Sequence, residues 1–111
     1  MTGRPPVDDS RFPLLSVLDE LTALLRSHGE EHWSYWLERD AELIRHGDRG
    51  GVEHLLSAYG GMGSLNDIYL CPENGSRILA RDVGTVNQQL QGLLSEAFRL
   101  ASAHRGSPRP H

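Results

Sequence analysis

The sequence predicts a mainly helical α+β fold, a small bundle of about four helices carrying one short β-hairpin near residues 65–80. Three observations lead there. Apolar residues recur at i, i+3, i+4 and i+7 in four separate segments, the spacing of a buried helical stripe. Glycines fall just after three of those segments, where helices stop. β-prone residues cluster in only one short run, Ile68-Tyr69-Leu70-Cys71, followed by the turn-forming Pro72-Glu73-Asn74-Gly75 and then Arg77-Ile78-Leu79.

The first helix is expected over residues 13–28. Leu14, Leu15, Val17, Leu18, Leu21, Leu24 and Leu25 form one wide apolar face. Pro13 suits a first turn, where its missing N–H is no loss, and Gly29 suits the stop. The second helix, residues 30–46, opens on Glu30 and Glu31, which favour the positive end of the helix dipole, and closes on Arg45, His46 and Gly47. Trp33, Trp36, Leu37, Leu43 and Ile44 supply its apolar positions. Trp33 and Trp36, at i and i+3, are expected to enter the core, with Tyr35 pointing outward. A third, short helix over 51–59 carries Val52, Leu55, Leu56 and Tyr59, and Gly60-Gly61 ends it. The last helix begins near Asp82 or Thr85 and runs to His104, lined by Val86, Leu90, Leu93, Leu94, Ala97 and Ala101 with Phe98 at its edge. The first and last helices are expected to sandwich the tryptophan helix. Residues 1–10 and 105–111 are polar and proline-bearing and are expected to be disordered arms on a single domain spanning 11–104.

Composition removes several functions. All eleven basic side chains are arginine. Without lysine there is no phosphate-loop lysine and no Schiff-base amine. Eleven acids and six arginines lie in residues 1–56, against four acids and five arginines in 57–111, so the net charge of −4 sits in the first half. That balance opposes nucleic-acid binding, which needs a basic face, and suits solubility or a basic protein partner. No apolar run reaches the ~20 residues of a membrane span. Cys71 is the single cysteine, so no internal disulfide forms, and a cytoplasmic location is expected.

Each catalytic motif falls short. His28-Gly29-Glu30-Glu31-His32 fits the H-x-x-E-H zinc pattern, but Gly29 divides two helices and separates the histidines. His46 and His54 have no recognised ligand spacing. Ser64 falls short of the G-x-S-x-G nucleophile elbow, and Cys71 has no cationic neighbour in sequence to lower its pKa. No catalytic residue, metal ligand or cofactor is therefore assigned.

The least ordinary stretch is Tyr59-Gly60-Gly61-Met62-Gly63-Ser64-Leu65-Asn66-Asp67. Three glycines in four positions carry a high entropic cost and signal positive φ or a close backbone approach. Asn66 and Asp67 then either cap loop amides or stand outward as recognition groups. The candidate binding residues are Gly60, Gly61, Gly63, Asn66 and Asp67 with Trp33, Tyr35 and Trp36.

The run Gly60-Gly61-Met62-Gly63-Ser64-Leu65-Asn66-Asp67, preceded by Leu55-Leu56-Ser57, resembles the signature of a small bacterial family of unknown function. The Gly29-Glu30 pair before Trp33, Gly51, Asn74-Gly75 and the series Asn87, Leu90, Leu93, Leu94 and Ala97 extend the resemblance over about residues 14–102. It implies a bacterial cytoplasmic domain and puts weight on the 60–67 loop, with no activity, cofactor or catalytic residue. The leading expectation is a non-enzymatic protein-interaction module, of accessory or immunity type by analogy of size and charge, with a homodimer among its forms. The competing expectation is a small-ligand binder or enzyme with a site where Asn66, Asp67 and His32 or His54 converge.

Overall fold

A computed structural model describes residues 11–60 and 63–106. The expectations for 1–10, for Gly61 and Met62, and for 107–111 lie outside the described residues. Arg105 and Gly106, expected in the terminal arm, instead continue the last helix.

Four helices form the bundle: α1 (Arg11–Ser27), α2 (Glu31–Arg45), α3 (Arg49–Ser57) and α4 (Val83–Gly106). Each lies within a few residues of its expected position. Gly29, at φ +83°, adopts the left-handed conformation that closes α1, and the Glu30 amide reaches back to the Leu25 carbonyl at 2.8 Å. Asp48 caps α3 by accepting from the Gly50 N–H at 2.8 Å. Three short 3₁₀ turns, Leu65–Asp67, Pro72–Asn74 and Ala80–Asp82, lead from α3 into α4.

The expected sandwich is corrected. α1 packs on both α2 and α4, and α3 closes the other side by touching α2 and α4. The tryptophan helix therefore lies diagonally across from α4. Leucines from every helix fill the centre: Leu14, Leu18, Leu21 and Leu25, then Leu37, Leu55, Leu90 and Leu94, each at most 1% exposed. Leu65 and Leu70 plug the open end from the connecting segment.

The expected β-hairpin is absent; no strand occurs among the described residues. The local backbone is extended as its β-prone residues require, with Cys71 at φ −159°, ψ 158° and Leu79 at φ −77°, ψ 142°. What is missing is the ladder. The side chain of buried Asn87, on α4, accepts from the Leu70 N–H at 2.8 Å and donates to the Leu70 carbonyl at 2.7 Å. On the return side, the Arg77 N–H donates to the His28 carbonyl at 2.9 Å, and His28 Nδ1 donates to the Arg77 carbonyl at 2.7 Å. One arm thus meets the side chain of Asn87 on α4 and the other meets His28 in the α1–α2 turn, so the two do not pair with each other.

Candidate functional site

The glycine loop and α4 together build a groove. Gly60 and Gly63 take φ +108° and +77°, the positive values that their number implied. Asn66 Oδ1 accepts from the Gly60 N–H at 3.1 Å and from the Ser64 hydroxyl at 2.6 Å. Asp67 Oδ2 accepts from the Gly63 N–H at 3.0 Å. Both side chains therefore brace the loop from inside it. Asn66 nonetheless also faces a groove of about 580 Å³, lined by Leu56, Tyr59 and Gly60 on one side and Gln91, Leu94, Ser95 and Phe98 of α4 on the other.

The groove has a rigid floor. The Tyr59 hydroxyl donates to the Leu94 carbonyl at 2.7 Å, tying the end of α3 to α4. Burial raises the Tyr59 phenol well above its ordinary range, so it stays a protonated donor. The Phe98 ring packs on the Tyr59 ring at 5.0 Å yet remains 45% exposed. All eight lining residues are uncharged. The opposite face of the bundle, between α1 and α2, is charged instead, with Asp19, Arg26, Glu38 and Arg45 in ion pairs.

A second cluster joins α2 to α3, away from that groove. Asp40 is fully buried, and its Oδ1 accepts from Nδ1 of the half-exposed His54 at 2.6 Å. An ionised carboxylate only accepts, so the hydrogen bond places a proton on His54 Nδ1. The His54 ring stacks on Trp36 at 4.2 Å and 12°. Trp36 touches Trp33 at 5.2 Å, and His32 meets Trp33 edge-on at 4.8 Å. Burial raises the Asp40 carboxyl above its usual range. The hydrogen bond and charge of His54 oppose the rise, as do the Trp36 N–H and the Arg39 charge. The Trp36 N–H and Asp40 Oδ2 are both buried and make no hydrogen bond of normal geometry.

The sequence candidates thus divide into two places. Gly60, Gly63, Asn66 and Asp67 belong to the loop beside the groove. Trp33 and Trp36 are half-buried in the α2–α3 cluster, and Tyr35 points outward at 63% exposure. His32 and His54 join the tryptophans and do not converge on Asn66. His28 and His32 fall on either side of the Gly29 turn, and among the described residues no three His, Cys, Asp or Glu side chains gather as metal ligands. No helix of the described residues is long and apolar enough to cross a membrane.

Asp40 and Phe98 were the residues that sequence reasoning undervalued. Trp33, Leu37, Asp40 and Ile44 follow i, i+4, i+7, i+11 spacing, so a carboxylate stands on the apolar stripe of α2, and that was the available signal. For α4 the signal was charge: residues 83–95 contain no charged side chain, although seven of the thirteen are exposed.

No curated protein and no solved structure matches the chain. A family model described as a domain of unknown function, DUF6966, matches residues 26–79, the segment holding α2, α3, the Asp40–His54 pair and the glycine loop; over that segment the chain is similar to a family whose function is unknown.

Proposed function

We propose that the chain is a non-enzymatic protein-interaction module that docks a partner in the groove between the glycine loop and α4. The observation that carries this reading is the groove itself: about 580 Å³, uncharged throughout, with the tilted Tyr59–Phe98 ring pair and the Asn66 amide among its lining. An aromatic anchor half open to water beside a pre-formed apolar hollow is the composition of an interaction hot spot. The lining side chains are neutral hydroxyls, amides and hydrocarbons, which suits an apolar protein segment better than a charged substrate. In the same reading the chain is a bacterial cytoplasmic protein. Its single cysteine and the resemblance of residues 60–67 support that setting.

The test is a photo-crosslinking residue placed at Ser95, with the same residue at Glu38 on the charged face as control. A discrete protein adduct at 95 and none at 38 is the expected result. Equal labelling at both positions, or none at either, overturns the reading. A second reading, a small apolar ligand in the same hollow, is favoured by its volume, which lies within the range of small-molecule sites. It predicts no protein adduct at Ser95 and shifted Asn66 amide resonances on adding small apolar amides.

A further inference from the structure

We propose that the docked partner segment is acidic beside its apolar anchor: an apolar side chain fills the hollow at Phe98, and a carboxylate about three extended residues away meets Arg49 and Arg105. The inference rests on the docking reading above and states the chemistry of the partner.

A second hollow, of about 250 Å³, lies between the same two helices as the groove. Arg49, Gly50, Val52 and Glu53 of α3 line it on one side, and His104 and Arg105 of α4 on the other. On α3, Arg49, Glu53 and Leu56 succeed one another at intervals of four and three residues, so they share one face. On α4, Gln91, Phe98 and Arg105 recur every seven residues, which again is one face. The two hollows are therefore parts of one furrow, in which the start of α3 stands beside the end of α4. Seven residues of helix put Arg105 roughly 10 Å beyond Phe98. An extended chain covers that distance in about three residues.

Charge changes along this furrow, and that change selects the partner. Around Phe98 the lining is uncharged; at the far end two guanidinium groups and His104 stand against the single carboxylate of Glu53. Arg49 is exposed and makes no ion pair among the described residues. Arg105 reaches Glu53 only through a contact of 3.7 Å, too long for a hydrogen bond, and about half of its side chain stays exposed. The Asp48 carboxylate, next to Arg49 in sequence, is turned to the Gly50 N–H at 2.8 Å. A partner carboxylate at this end therefore gains charge-assisted hydrogen bonds that neither arginine makes among the described residues. The net charge of −4 does not outweigh this gain. Asp19, Glu38 and Glu42 lie on the opposite face of the bundle, each paired with an arginine. Salt screens such exposed charges over about 8 Å at physiological ionic strength, so the local arginines decide the sign.

The full chain is screened against a displayed library of random twelve-residue peptides, and the selected peptides are synthesised for anisotropy titrations and amide chemical-shift mapping. Enriched peptides are expected to set Asp or Glu two to four residues from Leu, Phe or Trp and to shift the Leu56 and Ser95 amides. Exchanging the acid for its amide, or introducing Arg49→Gln, weakens binding about fivefold or more. Arg26→Gln, on the opposite face, leaves it unchanged, and each variant is checked for unchanged helical circular dichroism. The acid peptide binds more weakly as salt is raised, and its amide form does not. Peptides that shift Leu56 and Ser95 but bind equally as acid and amide overturn the acidic partner and leave the docking reading standing. Peptides that shift neither amide, or a library with no enrichment, overturn the proposal, and the Ser95 photo-crosslink then decides the docking reading by itself.

Discussion

Asp40 decides how α2 and α3 are held together, and its charge is the perturbation to make. Its side chain has no exposed surface, and its carboxyl is raised above the usual range chiefly by that burial. A folded-state pKa above the unfolded one means that the folded chain holds the proton more tightly. Stability therefore falls as pH rises from the unfolded carboxylate value of about 3.9 through the raised folded value, and each unit of elevation costs about 1.4 kcal/mol at neutral pH. Asp40→Asn removes the charge and keeps the shape. Its NH₂ donates to His54 Nδ1 once that ring adopts its other tautomer, and its carbonyl accepts from the Trp36 N–H, so no polar group is stranded. Asp40→Ala removes the same charge together with both polar partners and leaves a void. Asp40→Asn is expected to match or exceed the parent chain at neutral pH, and Asp40→Ala to fall about 2–3 kcal/mol below Asp40→Asn. Urea unfolding followed by far-ultraviolet circular dichroism measures all three. As pH is lowered, the parent gains on Asp40→Asn because its carboxylate becomes neutral too. If Asp40→Asn proves as unstable as Asp40→Ala at neutral pH, the ion pair and not the buried charge governs the contact, and the reasoning is refuted.

Asn87→Ala should strand the buried N–H and C=O of Leu70 and cost about 2–4 kcal/mol, with hydrogen exchange at Leu70 rising before that of the helices. An Asn87→Ala chain with an unchanged urea midpoint would show that the connecting segment is held by Leu65 and Leu70 packing alone. Gly51→Ala should cost about 1–3 kcal/mol, because the new Cβ would lie 2.9 Å from both Leu43 Cβ and Ile44 Cγ1, where α3 crosses the end of α2. Its thermal midpoint checks this: no fall would mean that α2 and α3 can move apart freely.

The four helices were legible because each is written twice, once in its apolar spacing and once in its ends. Leu14, Leu18, Leu21 and Leu25 repeat the period of a buried face, and Gly29 marks where the face stops. The segment after the glycine loop was legible in conformation but not in pairing. Ile68 and Cys71 favour extended backbone, and they have it. Whether an extended arm pairs with another arm or with a side chain depends on what stands beside it, and Asn87 stands 17 residues further along the chain. Local preference carries no information about that neighbour. The helix order fails for the same reason: both a sandwich and a closed ring satisfy the same four stripes.

The candidate site shows the limit more sharply. The loop was found through the cost of its glycines, a property of single residues, and its caps follow from residue type, since Asn and Asp accept from nearby amides. The groove beside it is a property of two helices and has no residue of its own. It exists because the Tyr59 hydroxyl ties α3 to Leu94 and leaves Phe98 standing at the edge. Asp40 and His54, 14 residues apart on different helices, meet only because α3 folds back across α2 at Gly51. Yet each left a trace that binary hydrophobic patterning discards: a carboxylate on an apolar stripe, and thirteen residues of α4 without a charge. Both are departures from the pattern that identifies the helices. A stripe explains why a helix folds inward. A residue that the stripe does not need, or a charge that solvent would be expected to have, points to what that helix does besides folding.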